Sequence, residues 1–393
     1  MHVLIIEGFR SGHEVLKSMG CEISMIIEQF RISGNEDGFY DRFLVVHDNA
    51  DVSEWIAIAK KINRISKVDA VINFHENRQL EASRIAEELN LPYHSADECM
   101  ISKDKVFMRR FLNDNSFDSI KGDNIDKVID YLKKDMVRFP IIIKPRFGWG
   151  SKFIKKVTNY DELNSVLQFI NDSKDGVEFC FEEFINGTEY SVESFSQNGI
   201  HKIVTITEKK KDENFIETGQ IVPAKLSDNM YKIVYEKIKL FLSLINHKNG
   251  PMHTEIIINN SVHIVETHLR MGGDKIPELI EFQSDFNLLK CWCDLIIGKK
   301  VIDLVPELRY QDTRTHIDFV HGSKHTSGKL FKSIVLNEKI KHFLKEEVAY
   351  LKQGDIIPLT VDSFSRVGHY IYRCSDEDYL TIKELNPEEF ILF

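Results

Sequence analysis

Short apolar runs alternate with helix-period stretches through the first hundred residues. The runs HVLII (residues 2–6) and AVINF (residues 70–74) are β-branched and apolar, as buried strands are. Residues 53–65 and 76–91 place apolar side chains at helical spacing. This alternation predicts a parallel sheet covered by helices, so residues 1–100 are expected to form a small α/β domain.

The pattern changes to strands and turns further along the chain. Ser102 is expected to cap a helix over residues 103–112. A helix is predicted over residues 229–246, and a mixed polar tail over residues 310–393. Strand-like runs fill most of the segment between residues 140 and 267: FPIIIK, SKFIKKV, EFCFEEF, TEYSVESF, HKIVTIT, HTEIII and VHIVET. The chain is therefore predicted to combine α/β and α+β parts.

Composition narrows the class of protein. The chain has 393 residues, of which 42% are hydrophobic and 28% charged, with a net charge of -10. This favours a soluble protein of two or three packed units and argues against a nucleic-acid partner, which needs a basic surface. No apolar run approaches the ~20 residues of a membrane helix, and residues 1–10 resemble a first strand rather than a signal peptide. Six scattered cysteines indicate a reducing cytoplasm, and Cys291 and Cys293 are interpreted as apolar helix filling.

Two acidic residues share one face of a predicted hairpin. A two-residue turn at 259–260 is expected because asparagine tolerates positive φ, and it pairs residue 255 with residue 264. Since side chains alternate faces, Glu255 and Glu266 become diagonal neighbours ~7–8 Å apart. Carboxylates at this separation can hold divalent cations between them, and oxygen ligands suit Mg²⁺. A pair of sheet-edge acids facing water explains the hairpin alone equally well.

The same strand carries further polar residues beyond the carboxylates. Alternation places Ile264, His268 and Arg270 on the face of Glu266, and Val265 on the opposite face. Residues 272–273 are both glycine, which removes all side chains directly after this face. The pattern indicates a face for metals and anions.

A glycine-rich turn follows the apolar strand within IIIKPRFGWGSK, residues 141–152. Lys144 supplies a cation, and Gly148 and Gly150 allow backbone N–H groups to approach a ligand closely. The patterns G-x-x-x-x-G-K-[ST] and G-x-G-x-x-G are both absent. An ordinary turn therefore explains this segment alone.

The segment CFEEFINGTEYSVE, residues 180–193, has two strand-like halves separated by a break. An edge strand at residues 182–185 can offer backbone groups to an adenine, and Glu189 can accept hydrogen bonds from ribose hydroxyls. A plain hairpin with exposed acids is the alternative explanation.

The order and spacing of these motifs resemble the ATP-grasp superfamily of carboxylate–amine ligases. The resemblance covers about residues 1–310 and is carried by SKDKVFMRRFL, IIIKPRFGWGSK, EEFINGTEYSVE, HTEIII and VETHLRMGGD. Three segments are similar to the bacterial L-amino acid ligase branch: FIETGQIVPAKL (215–226), GGDKIPELI (272–280) and SFSRVGHYIY (363–372). The implied ATP-grasp fold has an N-terminal α/β domain (1–100), a lid subdomain (101–187) and a C-terminal antiparallel-sheet domain (188–393) with an additional lobe (310–393).

The resemblance also implies residue roles. The phosphate-binding set is Lys105, Lys144 and the lid loop of Gly148, Trp149, Gly150 and Ser151. The nucleoside set is Glu182, Glu183, Phe184, Ile185 and Glu189. The ligands of Mg²⁺, two ions for which Mn²⁺ can substitute, are Glu255, Glu266 and His268. The catalytic set is Arg270, Lys144 and His268. The substrate set is Glu76, Glu217, Gly219, Pro223, Arg270, Gly272 and Gly273, with His75 and Lys275 as further specificity residues.

Four positions depart from the family pattern. His268 stands where asparagine is common, so it can ligate a metal, bind substrate or orient Arg270. Phe153 replaces a glycine that is common in the lid, and Trp149 adds a large ring there. The family often has Gly-His where this chain has Gly219 and then Gln220, so a substrate contact is expected to differ.

The implied activity is formation of an amide in two steps. A carboxylate attacks the γ-phosphate of ATP, and an amine then attacks the resulting acyl phosphate. Both substrates are expected to be amino acids in a bacterial cytoplasm, and a homodimer is the default association. Three alternatives stay open: a carrier protein or other acceptor for the acyl group, a non-catalytic nucleotide-binding regulator, and a bicarbonate- or formate-activating ligase. The presence of Lys105, Lys144, Glu255 and Glu266 favours an enzyme over the regulator.

Overall fold

A four-stranded parallel sheet occupies the N-terminal part of the computed structural model, which describes residues 1–34, 36, 38–148, 153–173, 176–212, 215–335, 338–382 and 391–393. The elements of this part are β1 (His2–Ile6), α1 (Arg10–Ser18), β2 (Glu22–Glu28), β3 (Arg42–Val46), α2 (Val52–Ile65), β4 (Ala70–Ile72), α3 (Gln79–Leu89), α4 (Ala96–Lys103) and α5 (Lys105–Asp114). The strand order is β3-β2-β1-β4 and every pairing is parallel. The predicted alternation of strands and helices is confirmed.

Strand β1 is buried on both of its faces, as parallel strands covered by helices usually are. Val3 and Ile5 pack into one apolar core, whereas Leu4 and Ile6 pack into another. The first core continues into the large C-terminal sheet, so one side of the N-terminal sheet is joined to the rest of the protein.

Helix α5 begins differently from the prediction. Its cap is Asp104, whose Oδ1 accepts hydrogen bonds from the N–H groups of Val106 and Phe107 at 3.0 and 3.2 Å. The predicted cap, Ser102, belongs instead to the last turn of α4, and its hydroxyl accepts a hydrogen bond from the N–H of Leu269. The prediction was wrong because Asp is as good a cap as Ser and lies directly before the first helical residue.

A small antiparallel sheet follows, with the order β5-β8-β6-β7. Its elements are β5 (Gly122–Asn124), α6 (Val128–Lys133), β6 (Ile141–Pro145), β7 (Lys155–Val157), α7 (Tyr160–Asp172) and β8 (Phe179–Glu183). Ile141, Ile143 and Phe181 fill its core, so the alternate residues of β6 and β8 face away from this core. Lys144 and Glu182 are thereby directed to the other side.

An eight-stranded antiparallel sheet forms the rest of the protein, in the order β13-β12-β9-β10-β11-β14-β17-β16. The elements up to residue 296 are β9 (Thr188–Gln197), β10 (Ile200–Lys211), β11 (Glu217–Val222), α8 (Asp228–Leu244), β12 (Gly250–Ile258), β13 (Val262–His268), α9 (Ile276–Ser284) and α10 (Leu288–Ile296). The later elements are β14 (Thr313–Val320), β15 (Ser333–Ile334), α11 (Glu338–Lys341), β16 (Leu344–Ala349), β17 (Gly368–Ser375), α12 (Asp376–Ile382) and β18 (Ile391–Leu392). Strands from the polar tail therefore extend the same sheet, while β15 and β18 form a separate pair.

All six cysteines are free thiols and are buried. Cys291 and Cys293 pack on α10 within the apolar core, as the sequence predicts. Across the described ranges, no helix combines the length and apolar character needed to cross a membrane.

Candidate active site

One cavity of about 970 Å³ is lined by residues of the two antiparallel sheets and by residues that follow strands β1 and β4 of the N-terminal sheet. It brings together most of the predicted site residues: His75, Glu76, Lys105, Lys144, Gly148, Glu182, Glu183, Phe184, Ile185, Glu189, Glu217, Glu255, Glu266, His268, Arg270, Gly272, Gly273 and Lys275. The predicted lid residues Trp149, Gly150 and Ser151 lie outside the described residues. The sequence motifs, separated by up to two hundred positions, thus converge on one space.

Two predicted substrate residues, Gly219 and Pro223, do not line this cavity. Lys210 pairs with Gly219 and Lys211 pairs with Glu217, so Thr218 is an extra residue that bulges out of β11. A bulge reverses the alternation of side chains beyond it. Glu217 and Gln220 consequently face the cavity, whereas Gly219 packs on the other face, where an added Cβ would lie 2.9 Å from Asp318 Oδ1.

The paired carboxylates of Glu255 and Glu266 lie directly opposite each other, not diagonally. The predicted register was wrong because Ile258 pairs with Val262, and Val265 is an extra residue between the pairs 255–266 and 256–264. This bulge turns Val265 toward the cavity and leaves Ile264 in the core, the reverse of the predicted faces. The shift brings the two carboxylates closer together than simple alternation does.

Both carboxylates are ionised and face cations. Burial alone would raise the pKa of each group, but Lys209 beside Glu255 and Lys105 beside Glu266 hold both pKa values well below the ordinary range. Lys105 Nζ lies 3.2 Å from Glu266 Oε2 and donates to the carbonyl of Gly148 at 2.8 Å. The ammonium of Lys105 therefore links the carboxylate face to the start of the predicted phosphate loop.

An ammonium group occupies the centre of a cluster of three acids. Lys209 Nζ lies 2.8 Å from Glu217 Oε1 and 3.7 Å from Glu189 Oε1, and it also contacts Glu255 Oε1. One carboxylate oxygen from each acid lies within 4.8 Å of the other two. Lys211 adds a second ammonium, 2.6 Å from Glu189 Oε1. The cluster is arranged as a cation site in which lysine supplies the positive charge.

Lys144 is held by a buried carboxylate on the neighbouring strand. Its Nζ lies 2.6 Å from Glu182 Oε2, and Arg109 Nε donates to Glu182 Oε1 at 3.2 Å. Arg109 also donates to the carbonyl of Ile264 and lies 3.6 Å from Asp118. Glu182 thus fixes Lys144 in the cavity wall rather than presenting a free carboxylate.

The segment predicted to face an adenine has two of its N–H groups engaged. Glu183 donates to the carbonyl of Lys121, and Phe184 donates to the carbonyl of Pro140. Glu183 also accepts the N–H of Lys121 through its side chain at 2.7 Å. Among the residues predicted to contact the base, Ile185 is the one left to supply an N–H toward a ligand.

Arg270 and His268, which follow Glu266 along the chain, contact Glu76 of the N-terminal domain. Arg270 donates to Glu76 Oε2 through Nη2 at 2.5 Å and through Nε at 3.0 Å. His268 Nδ1 lies 3.1 Å from the same oxygen, and His268 Nε2 lies 3.3 Å from Glu266 Oε1. The imidazole of His268 therefore lies between Glu266 and Glu76, the acid that positions Arg270.

The N–H group of Gly272 is engaged within the protein. This group donates to Glu193 Oε2 at 3.1 Å. An added Cβ would lie 3.0 Å from both Glu193 oxygens and 2.8 Å from Ile276 Cδ1, so no side chain fits. At Gly273, by contrast, an added Cβ would meet only Arg270 Nη1, at 4.0 Å. Gly273 is therefore the glycine that leaves open space beside Arg270.

Several cavity residues were not identified from the sequence. His253 donates to Glu193 Oε1 at 2.5 Å, and despite its burial the two acids Glu193 and Glu255 raise its pKa to about 9. The residues missed are Arg109, Lys209, Lys211, His253 and Asp274. Alternation along TITEKKK, residues 205–211, would have placed Lys209 and Lys211 on the same face. The other missed residues have no comparable pattern in the sequence around them.

One end of the cavity is apolar and partly exposed. The side chains there are Phe9, Phe74, Met271, Ile276, Leu288, Leu289 and Phe364. Asp274, another residue of the cavity wall, accepts hydrogen bonds from Arg366 at 2.8 and 3.1 Å. The cavity therefore combines the guanidinium of Arg270 with an apolar part of its wall.

The sequence of this chain is similar to those of known ATP-grasp proteins. A family model described as an ATP-grasp domain matches residues 137–278. The ATP-grasp enzyme fsqD of Aspergillus fumigatus is 24% identical over 206 residues, which are 49% of this chain and 35% of that protein. The alanine–anticapsin ligase of Bacillus subtilis is 23% identical over 324 residues, 73% of this chain and 69% of its own length. Residues 137–278 therefore form an ATP-grasp domain, and the chain as a whole is similar to ATP-grasp enzymes that include an alanine–anticapsin ligase.

A solved structure matches this chain along its whole length. The crystal structure of an L-amino acid ligase from Bacillus licheniformis has a TM-score of 0.81 at 17% identity, covering 100% of this chain and 98% of that one. The overall fold is accordingly that of an ATP-grasp ligase resembling the L-amino acid ligases, as the sequence motifs predict.

Proposed function

We propose that the protein joins the carboxylate of one amino acid to the amine of another, using ATP and releasing ADP and phosphate. The observation that supports this most directly is the convergence of Lys105, Lys144, Glu255, Glu266 and Arg270 on a single cavity with an apolar end. Cations for phosphates, acids for a metal and a guanidinium for a carboxylate are the groups this reaction needs.

ATP is proposed to bind between the small sheet and the large one. Lys105 and Lys144 would contact its phosphates, and Gly148, with φ of 106°, would let the loop approach them. The base would lie near Ile185, whose neighbours use their own N–H groups within the protein. Glu189 would hold the ribose once it exchanges Lys211 for a hydroxyl.

Glu255 and Glu266 fit Mg²⁺ by their chemistry. Both are ionised oxygen donors placed across one strand pair, and lysines already compensate their charge. Bound Mg²⁺ would neutralise the charge that develops on the transferred phosphoryl group. His268 would orient Glu266 and Glu76 through its two ring nitrogens. Lys209 would have to leave Glu255 when a cation binds there.

The substrate carboxylate is proposed to lie at Arg270, beside the open space at Gly273. Glu76 would keep the guanidinium in place while its remaining N–H groups bind the carboxylate and then the acyl phosphate. An ammonium group of a substrate would meet the acids Glu217 and Asp274, and its side chain the apolar end. Exclusion of water by the lid would protect the acyl phosphate from hydrolysis.

The proposal places the enzyme in a bacterial cytoplasm, supported by six reduced, buried cysteines. The two substrates would be small molecules, and a homodimer stays a prediction that light scattering can check.

The test is ADP release with ATP and Mg²⁺ across a matrix of amino-acid pairs, with mass spectrometry of each active mixture. A product one water lighter than the summed substrates supports the proposal. The variant Glu266→Gln should lose activity, whereas Glu281→Gln, an acid of the same cavity that accepts from Asn287, should retain it. Activity that needs only bicarbonate or a carrier protein, or ATP binding without ADP release, would contradict it.

A further inference from the structure

A second group of ligand-type side chains lies outside the cavity. His94 precedes α4, Glu98 lies in the first turn of α4, and His247 lies between α8 and β12. His94 Nδ1 and His247 Nδ1 lie 3.6 and 3.1 Å from the same oxygen, Glu98 Oε1. All three ligand atoms lie within 4.8 Å of one another. Segments distant in sequence thus present two imidazoles and a carboxylate to one point.

The hydrogen bonding of His247 defines which nitrogen faces this point. Its Nε2 lies 3.3 Å from the carbonyl of Gly250, which can only accept, so Nε2 carries a proton. In a neutral ring Nδ1 then bears the lone pair, and that lone pair is directed at the Glu98 carboxylate. Two acceptors facing each other in a buried place require a cation between them, either a proton or a metal ion.

One oxygen of Glu98 is directed at the two imidazoles. Its Oε2 accepts the N–H of Ser95 at 2.8 Å in a capping box, which leaves Oε1 directed at the imidazoles. No lysine or arginine among the described residues forms an ion pair with this carboxylate, which is 4% exposed.

We propose that His94, Glu98 and His247 bind a structural divalent transition-metal ion, with Zn²⁺ as the species that suits this donor set. Ligands at ~2.0–2.1 Å around a tetrahedral zinc lie ~3.3 Å apart, and the two separations of 3.1 and 3.6 Å bracket this value. The carbonyl of Gly250 and the N–H of Ser95 supply the outer hydrogen bonds that metal ligands usually have.

A water molecule can complete the coordination. A cavity of about 340 Å³ lies beside the cluster and is lined by Tyr93, His94, Ser95 and Asp97. It gives solvent access to the side of His94, while Glu98 and His247 stay buried. Three protein ligands and one water satisfy the four-coordinate preference of zinc.

The bound ion would connect two elements that carry active-site residues. Helix α4 leads directly into Lys105 at the start of α5, and His247 precedes β12, which carries Glu255. A metal at this junction would fix the N-terminal domain against the large sheet without touching the substrates. Its contribution is to stability, so it can be measured without assaying the ligase reaction.

The experiment uses the full chain, stripped of metal with a chelator and titrated with Zn²⁺ in excess Mg²⁺, which competes for the acids of the main cavity. We expect one equivalent of Zn²⁺ to bind with a submicromolar dissociation constant and to raise the melting temperature. Co²⁺ in its place should give the intense visible bands of a four-coordinate ion. This spectrum requires no variant, so a misfolded mutant cannot obscure it.

Two matched variants assign the ligands. His94→Ala and His201→Ala each remove one imidazole stacked on His247, at 5.4 and 6.5 Å, but His201 Nδ1 is engaged by Ser196 and lies outside the cluster. His94→Ala should lose tight Zn²⁺ binding, and His201→Ala should keep it. Equal binding in both variants, no binding by the unaltered chain, or NMR signals showing His247 doubly protonated with Zn²⁺ present would overturn the proposal.

Discussion

Glu182 is a buried carboxylate that contacts two buried cations, Lys144 and Arg109. The substitution Glu182→Gln removes the negative charge that lies next to both Lys144 and Arg109. Removal of one partner from a buried ion pair costs ~3–5 kcal/mol. Arg109 still has Asp118 at 3.6 Å after the substitution, whereas Lys144 has no second acid within ion-pair distance among the described residues. We therefore expect the free energy of unfolding to fall by ~3 kcal/mol, the lower end of this range. In a unit of 150–250 residues this lowers the melting temperature by ~6–12 °C.

The same substitution should weaken ATP binding, because Lys144 loses the contact that positions it. A charge-assisted hydrogen bond is worth ~1.5–3 kcal/mol, so the dissociation constant for ATP should rise about tenfold to a hundredfold. Calorimetry of ATP binding and thermal unfolding measure the two effects separately. Glu183→Gln is the matched control, because among the described residues the side chain of Glu183 accepts a hydrogen bond from the N–H of Lys121 and contacts no cation.

The effect of Glu182→Gln should also depend on pH. Burial would raise the pKa of Glu182, but Arg109 and Lys144 hold it below its ordinary value. A depressed carboxyl pKa stabilises the folded state above the unfolded pKa of ~4.3 and loses this contribution as pH falls through the folded value. The difference between the variant and the unaltered protein should be largest at pH 7 and shrink below pH ~4. Equal melting temperatures and ATP affinities for Glu182→Gln and Glu183→Gln would refute this reasoning.

Three further predictions concern the cavity. Lys209→Met removes the ammonium from between Glu217 and Glu255, so the Mg²⁺ concentration giving half-maximal ADP release should fall severalfold; a rise would contradict this. Glu76→Gln deprives Arg270 of its carboxylate, so kcat/KM for the carboxylate substrate should fall at least ~10-fold, and an unchanged value would argue against the assigned position. Met271→Trp fills the apolar end, so substrates with large side chains should lose activity before alanine or glycine does, as competition assays would reveal.

Periodicity was sufficient to predict the regular elements. The helix predicted over residues 53–65 is observed as Val52–Ile65, and that over 229–246 as Asp228–Leu244. These signals are local, because a buried face repeats every two or every 3.6 residues in the sequence itself.

The bulge at Val265 explains why the predicted register of the hairpin was wrong. Valine does not mark a bulge, so strict alternation exchanged the faces of Ile264 and Val265. The bulge at Val265 improves the proposed metal site, since it sets Glu255 directly across from Glu266.

The sequence also did not reveal which charged residues, distant along the chain, contact each other in the site. Arg270 could be recognised as a candidate for carboxylate binding, but its partner Glu76 lies 194 positions away. Glu182 was predicted to contact adenine, yet the fold places Arg109 and Lys144 on its two oxygens. Pairings of this kind depend on how separate sheets pack, which no local period encodes.

Arg366 contacts two acids of the cavity that are translated long before it. Its guanidinium donates to both oxygens of Asp274 and to the carbonyl of Glu217. A nascent chain on the ribosome presents both acids well before Arg366 emerges, and at that stage strand β14 also lacks its neighbour β17. Lys105, Lys144, Glu255 and Glu266 are then already translated, but Asp274 and Glu217 lack the guanidinium that binds them. If the proposed function is correct, a chain that ends before Arg366 is expected to lack ligase activity.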